Sequence, residues 1–323
     1  MNYKEIFKDE LELIDGKLKE LIPEEPKELF SILEEYIMRG GKRIRPVLLL
    51  TIVNAFDGDV EKALIPGIII ELFHNFTLIH DDIEDDSLFR RGKPTLHQTY
   101  GIPIALNTGD GLYTYIWNLI ASLNNHQLTK MYAQTFLEVV EGQAYDLWWE
   151  KYDIFNLNIN DYNLLVRKKT GALFGLSAGL GVVLSNKEGM YSHFYEFGSS
   201  LGISFQIIDD ILNLFGDFDT YKKKIGDDIT EGKRTLMVIH ALNKLEKDEK
   251  QQLIEILKGH YKDENHIKEA IKLIEKTGAK EYALKYAKDI VKKEWNNIKP
   301  LLPENEHKDK IKEIVNYMIN REV

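Results

Sequence analysis

Apolar residues recur at three- and four-residue intervals along almost the whole chain, and strict apolar/polar alternation is absent, so the pattern predicts helices and no sheet. Ile6, Leu11, Ile14, Leu18 and Leu21 mark a first helix over 3–22, which Pro23 and Pro26 close before a second through Leu29, Leu33 and Ile37. Gly40-Gly41 breaks that helix. Arg45-Pro46 suits the first turn of a third helix running to Phe56, and Asp57-Gly58-Asp59 is a turn. Further helices are expected over 59–86, 103–124, 127–151, 160–183, 188–214, 230–258, 263–298 and 304–321. The fold class is therefore all-α: one large bundle of long helices spanning 1–323, with a motif-bearing core over about 38–240 and solvated outer helices over about 241–323.

Composition narrows the picture. With 323 residues, 44% of them hydrophobic, the chain can bury a large core. It has no cysteine, which removes disulfides and thiolate metal sites and is compatible with the cytoplasm. No signal peptide and no apolar run of membrane-spanning length is expected, since Val47–Val53 and Pro66–Ile70 are short core segments. A net charge of −10 argues against nucleic acid as a partner. Any anion that this chain binds must meet locally concentrated Lys and Arg, aided by metal.

Candidate chemistry begins where the apolar helix ending in Leu78-Ile79 runs into acid. Asp81 and Asp85 are four apart and share one helix face, with Asp82 beside them. Stacked carboxylates repel, and a hard divalent cation offsets the repulsion; Mg²⁺ suits, because it takes one or two carboxylates and completes its shell with water and phosphate. Arg90 and Arg91 follow, suited to phosphate oxygens. A solvated acidic helix end is the plain alternative for one such cluster. The pattern occurs twice, however: Phe205-Gln206-Ile207-Ile208-Asp209-Asp210-Ile211-Leu212-Asn213 again sets an Asp pair, and an oxygen side chain four residues after the first Asp, at the end of an apolar run.

Four other stretches stand out. Gly40-Gly41-Lys42-Arg43-Ile44-Arg45 puts flexible backbone and three cations at a helix start. Gln143 and Asp146 share a helix face. Lys168-Lys169-Thr170-Gly171 leads into the small residues Gly175, Ser177, Ala178 and Gly179, expected to let helices pack closely. Tyr221 to Arg234, carrying Lys223 and Lys233, is a basic, glycine-punctuated loop suited to close over an anion.

Together these stretches resemble the trans-isoprenyl diphosphate synthases (polyprenyl synthetase family), particularly the short-chain, geranylgeranyl-diphosphate-type members. The resemblance runs over about 38–240: GGKRIRP at 40–46, HDDIEDDSLFRRGKPT at 80–95, GQAYD at 142–146, KKTGALF at 168–174, FQIIDDILN at 205–213 and GDDITEGKRT at 226–235. It implies an all-α bundle around a central cavity, usually a homodimer, with the two Asp-rich helices across its mouth, and a condensation of isopentenyl diphosphate with an allylic diphosphate by metal-assisted ionisation. Carried onto this chain, it implies that Asp81 and Asp85, supported by Asp82, hold two Mg²⁺ ions and that Asp209, with Asp210, holds a third. Arg90, Lys169, Lys223 and Lys233 would meet the allylic diphosphate, and Lys42, Arg45, His74 and Arg91 isopentenyl diphosphate. Thr170, Gln206, Gln143 and Asp146 would lie near the reacting carbons or metal-bound water, making Lys169, Thr170, Gln206 and Lys233 the catalytic set. Asn213 stands where many relatives have Asp.

Product length would follow from the helix beneath the first acid cluster. Phe73, Thr77 and Asp81 are spaced by four, with Phe73 about 12 Å below Asp81, while Phe76 lies about 7.5 Å below and is rotated by roughly 140°. Within the family, aromatics four and five residues ahead of the first Asp go with fifteen-carbon products; Thr77 at the nearer place resembles members that make geranylgeranyl diphosphate. Farnesyl diphosphate synthase is the alternative. A class I terpene cyclase would not need Gly40–Arg45 and the Arg90/Arg91 pair, a His-Asp phosphohydrolase built on His74, His80 and Asp81 would leave the second acid cluster unused, and nearly intact motifs speak against a non-catalytic subunit.

Overall fold

The structure is a computed structural model of the chain and describes residues 3–216 and 225–319. These form helices almost throughout, as expected. In order come α1 (Tyr3–Ile6), α2 (Lys8–Leu21), α3 (Lys27–Ile37), α4 (Ile44–Ala55), α5 (Val60–Glu84), the strands β1 (Phe89–Arg90) and β2 (Lys93–Pro94), α6 (Leu96–Tyr100), α7 (Ile102–Ser122), α8 (His126–Lys151), α9 (Ile159–Val166), a π-helical turn (Arg167–Gly171), α10 (Ala172–Leu184) and α11 (Tyr191–Phe215). After residue 225 the helices are Asp227–Glu231, Leu236–Lys244, Lys247–Gly259, Glu264–Glu275, Ala279–Ile298 and Glu306–Ile319.

The departures from periodicity have local causes. The expected helix over 160–183 is α9 and α10 joined by the π turn, which keeps helical backbone and so leaves the spacing of apolar residues unbroken. The one over 230–258 is three pieces, broken at Gly232 by a left-handed φ of +73° and at Leu245 and Glu246 by extended backbone, and that over 263–298 is two, broken at Gly278 by a φ of +70°. The only strands among the described residues are the two-residue antiparallel pair β1–β2, too short to leave an alternating pattern.

Two compact units divide the chain: Met1–Ala133 with Ser177–Ser192 and Leu302–Ile311, and Gln134–Leu176 with His193–Leu301 and Lys312–Val323. In the first, α5 packs on α4, α7 and α2. Val47, Leu48, Leu49, Ile52 and Val53 of α4 meet Ile68, Ile69 and Ile70 of α5, all fully buried. Each such side chain contributes roughly 1.5–3 kcal/mol of transfer free energy. Contrary to the expectation from sequence, α5 is by length and composition long and apolar enough to cross a membrane, but 67% of its most apolar window is buried inside the protein. It is a core helix with both faces covered.

In the second unit the core is built from Ile207, Ile208 and Ile211 of α11, Leu236 to Leu242 of the following helix, and Leu253, Leu257, Ala283 and Ala287 of the outer helices. The last quarter of the chain thus supplies part of a core as well as a solvated surface. Small residues permit the close approach expected of them at Gly175, where a Cβ would stand 3.0 Å from the Tyr195 carbonyl oxygen, and also at Gly142, for which the sequence pattern carries no such expectation. A Cβ on Gly142 of α8 would stand 2.3 Å from the backbone nitrogen of Lys169 in the π turn, nearer than any van der Waals contact allows. Gly142→Ala should therefore push the π turn away from α8, lower the melting temperature by several degrees and weaken activity with it; an unchanged melting temperature would mean that the turn shifts without cost.

Candidate active site

Burial and charge oppose each other in the first unit at the end of α5. Asp59 caps its start by accepting a hydrogen bond from the amide of Lys62, and at the far end of its 25 residues the apolar run delivers Asp81 and Asp82 to the last turn and Asp85 to the C-cap. Asp82 is buried. Its Oδ1 accepts from Arg90 Nε at 2.7 Å and pairs with Arg90 Nη2 at 2.6 Å, and its Oδ2 accepts from the Tyr36 hydroxyl at 3.2 Å. Burial lifts its carboxyl above the usual range although Arg90 opposes it. Asp82 is thus the anchor of Arg90 rather than a carboxylate on the open face, whereas Asp81 and Asp85 are partly exposed, one turn apart. The β1–β2 hairpin carries Arg90 back onto α5, and Arg91, at φ +54°, leaves the hairpin toward Asn75, donating to its Oδ1 at 3.2 Å.

Around Arg91 the same unit gathers the Gly40–Arg45 stretch. Gly41 presses so close to Arg91 that a Cβ there would lie 3.2 Å from its Nη2. Lys42 is exposed and Arg45 half-buried. Arg43, by contrast, turns inward: Nη1 donates to Glu71 Oε1 at 2.9 Å, Nε to Asp15 Oδ1 at 3.0 Å and Nη2 to the Ile37 carbonyl at 2.8 Å. Of the three cations expected to face an anion, Arg43 is structural. Burial lowers Arg45 to about 10, with Glu71 opposing. Burial, reinforced by Arg45, Arg91, Arg90 and Arg43, holds His74 well below its ordinary value, so it is a neutral imidazole among guanidiniums.

The second unit holds the other acid cluster. Thr170 in the π turn donates to Gln206 Oε1 at 3.2 Å, Gln206 Nε2 donates to Asp210 Oδ1 at 2.8 Å, and the buried Tyr162 hydroxyl donates to Asp210 Oδ2 at 3.3 Å. Burial, against the hydrogen bonds from Gln206 and Tyr162 and with Asp209 and Asp146 adding in the same sense as burial, pushes the Asp210 carboxyl up to about 7. Lys169 meets Asp146 Oδ2 at 2.6 Å, and Lys233 lies 4.0 Å from the same oxygen, 3.9 Å from Glu150 and 3.7 Å from Glu231. Burial alone would raise Asp146, but Lys169 and Lys233 outweigh it and hold it at about 2. Arg234 fixes the segment behind Lys233 by donating to the Gly232 and Ile154 carbonyls, its guanidinium 4.1 Å over the Phe155 ring. Gln143 lies on α8 one turn before Asp146. Lys223 falls outside the described residues. Asn213 is spent elsewhere: its Oδ1 accepts from the Asp228 amide at 3.1 Å and its carbonyl from the Gly226 amide at 2.8 Å.

The donor set fits Mg²⁺. Among the described residues no group of three or more His, Cys, Asp or Glu side chains could hold an ion. Asp81 with Asp85, and Asp209 with Asp210, instead offer the one or two carboxylates that Mg²⁺ combines with water and phosphate oxygens. A cation beside Asp209 and Asp210 would also offset the burial and repulsion that raise Asp210.

Below the first cluster Phe73 is fully buried, with Phe76 and Tyr113 around it. Phe76 stacks on Tyr113 at 4.9 Å and 29°, and Tyr113 meets Trp117 edge-on at 6.3 Å. Phe76, Thr77 and Tyr113 keep part of their surface open. Sequence reasoning had named Phe73, Phe76 and Thr77 but missed Tyr113, which contacts them only because α7 packs on α5. It also missed Tyr36, Glu71, Asn75 and Tyr162. Glu71 alone left a signal, a charged residue in an otherwise apolar stretch.

Comparison with known proteins identifies the family. The polyprenyl synthetase family model matches residues 26–274. A short chain isoprenyl diphosphate synthase of Methanocaldococcus jannaschii is 39% identical over 272 residues, covering 83% of this chain and 82% of that protein. A geranylgeranyl pyrophosphate synthase of Geoglobus acetivorans is 35% identical over 98% of this chain and 99% of its own length. The crystal structure of geranylgeranyl pyrophosphate synthetase from Pyrococcus horikoshii superposes with a TM-score of 0.91 at 35% identity, covering 99% of both chains.

The Asp146 ion pairs set a pH dependence. The carboxyl titrates at about 2 in the folded protein and at 3.8 when unperturbed, so its stabilisation is complete above pH 3.8 and is lost as pH falls through about 2. By linkage this amounts to on the order of 2 kcal/mol. Asp146→Asn should remove that contribution, so that urea denaturation midpoints of wild type and variant, well apart at pH 6, converge toward pH 2; a constant gap would show that Asp146 does not carry it.

Proposed function

Because the chain belongs to the polyprenyl synthetase family, whose members are prenyl diphosphate synthases, we propose that it is a Mg²⁺-dependent trans-prenyltransferase condensing isopentenyl diphosphate with an allylic diphosphate, with geranylgeranyl diphosphate as main product. The observation that carries this reading is the pairing, within each unit, of a two-carboxylate metal face with fixed cations: Asp81 and Asp85 with Arg45, Arg90 and Arg91 in one, Asp209 and Asp210 with Lys169 and Lys233 in the other. A terpene cyclase has no use for a second diphosphate site, and the Gly40–Arg45 and Arg91 grouping is the surplus that separates the two activities.

In this mechanism Lys169 and Lys233, held in place by Asp146, meet the allylic diphosphate and stabilise the charge that builds on it as it leaves; in the first unit Arg90, held by Asp82, is a further cation suited to diphosphate oxygens. Mg²⁺, when bound at Asp81 and Asp85 or at Asp209 and Asp210, would supply further positive charge to diphosphate oxygens. Lys42, Arg45, the neutral His74 and Arg91 hold isopentenyl diphosphate so that its double bond attacks the allylic carbon. A proton is then lost, for which the released diphosphate is the base at hand. The Thr170–Gln206–Asp210 chain fixes the side chains next to the reacting carbons. The open faces of Phe76 and Tyr113, with Thr77 between Phe73 and Asp81, offer the growing tail an apolar wall without a ring directly beneath the metal face.

We further infer a homodimer. On α8, Leu137, Val140 and Trp148 lie on one face and are 60%, 52% and 60% exposed, an apolar stripe that a second copy would cover. The family chemistry and the lack of cysteine are compatible with the cytoplasm, where we place the reaction.

Two measurements test the function. Asp81→Ala and Asp209→Ala should each cut turnover by about a hundredfold or more, the scale of losing a main electrostatic stabiliser; near wild-type turnover in either would refute the metal assignment. Thr77→Phe should place a ring against the tail and shorten the product, read by chromatography, from geranylgeranyl to farnesyl diphosphate, whereas an unchanged product would move the length control to other residues.

A further inference from the structure

Glu71 takes no part in the proposed diphosphate contacts, yet it is a carboxylate in the middle of the core helix α5 with only 3% of its side chain exposed. Its surroundings are cationic. Oε1 accepts from Arg43 Nη1 at 2.9 Å, and the backbone carbonyl of Glu71 accepts from Asn75 Nδ2 at 2.8 Å. Asn75, itself fully buried, offers its oxygen to Arg91 Nη1 at 3.2 Å. One helical turn, from Glu71 through His74 to Asn75, therefore supports Arg43 and Arg91 and carries one of the expected isopentenyl diphosphate ligands. Arg43 is also the residue before α4 and sits at a left-handed φ of +47°, so its side-chain bonds to Glu71, Asp15 and the Ile37 carbonyl clamp the backbone that leads from Gly41 and Lys42 into Arg45.

Resting on the assignment of Arg45, His74 and Arg91 to isopentenyl diphosphate, we propose that Glu71 is a positioning residue for that substrate, the buried anion that holds the guanidinium cluster in its binding arrangement before the diphosphate arrives. Guanidiniums crowded in a low-dielectric setting repel one another and pull apart or take up other partners unless an anion sits among them. Glu71 fills that role: it is the group that opposes the burial penalty on Arg45, and it acts in the same sense on Arg91. Lying behind the cluster and sealed from solvent, it cannot be replaced there by the substrate, which approaches from the open side where Lys42 is exposed.

Glu71→Gln keeps size and hydrogen-bond acceptor while removing the charge. It should raise the KM for isopentenyl diphosphate by about tenfold or more and leave the KM for the allylic substrate within about twofold, because loss of one substrate's preorganised ligands is a loss of binding to that substrate alone. A merely structural defect would lower the active fraction and leave both constants where they were. Glu71→Gln leaves Arg43 with Asp15 as its one remaining counter-ion among the described residues, so the paired variant Arg43→Met/Glu71→Met is the companion: it should recover the wild-type melting temperature, as buried ion pairs replaced by apolar residues do, yet keep the raised KM for isopentenyl diphosphate. Calorimetric titration of that variant with isopentenyl diphosphate gives the same reading without turnover. Return of the KM to wild type in the paired variant, or no change in it in Glu71→Gln, would overturn the proposal. Arg45→Ala separates this failure from that of the assignment beneath it: a raised isopentenyl diphosphate KM in Arg45→Ala with none in the Glu71 variants sinks the role of Glu71 alone, whereas an unaffected KM in Arg45→Ala sinks the subsite assignment.

Discussion

Holding several like charges together while removing them from water is the constraint that shapes both units. Isolated, each buried guanidinium, ammonium or carboxylate here would lose its charge or its place. The chain answers with single buried counter-ions shared among several partners. Asp146 lies between Lys169 and Lys233, Glu71 beside Arg43 and within reach of Arg45 and Arg91, and Asp82 takes Arg90 and the Tyr36 hydroxyl. Because each anion serves partners from distant parts of the chain, it fixes loops that have no core of their own: the hairpin at 89–94, the 40–45 stretch and the segment ending at Lys233.

The same electrostatics separates two kinds of aspartate that the sequence makes look alike. Asp81, Asp82 and Asp85 differ by position at the end of α5 and nothing else. Facing inward, Asp82 finds Arg90 and Tyr36; Asp81 and Asp85, turned away from these partners, keep part of their surface open. An adjacent pair of acids on a helix therefore divides labour through its 100° separation, one anchoring the scaffold and the other presented. At Asp209 and Asp210 the division repeats, with Asp210 taken by Gln206 and Tyr162.

How much was legible in the sequence follows from the range over which each feature acts. Most helix positions were set by spacings within a few residues, though not the π turn, the short hairpin or the breaks within 230–258 and 263–298, and the acid clusters and basic stretches were visible as runs. Their partners were not. Tyr36 reaches Asp82 across 46 positions and Tyr162 reaches Asp210 across 48, and neither tyrosine differs locally from a core aromatic. Arg43 looked like an equal of Lys42 and Arg45, because the left-handed φ that turns it inward comes from the packing around Gly41 and not from any propensity of arginine. Phe73 was legible as a large residue beneath the metal face, but full burial makes it a prop for Phe76 and Tyr113, so the open wall is one ring removed from the position that spacing alone assigns.

Asn213 shows the opposite case, in which a residue that looks weakened for one purpose is well suited to another. As a metal ligand an amide oxygen lacks the charge of a carboxylate. In place, that oxygen receives the Asp228 amide, and the Asn213 carbonyl receives the Gly226 amide, so both bonds tie the end of α11 to the start of the short helix Asp227–Glu231. An aspartate there would accept the same amide, but it would add a third negative charge to a turn where Asp210 is already pushed toward neutrality by burial and by Asp209. The amide keeps the latch and avoids the repulsion. Asp209 is then left as the presented carboxylate with Asp210 behind it, and one or two carboxylates are what Mg²⁺ takes when phosphate and water complete its shell.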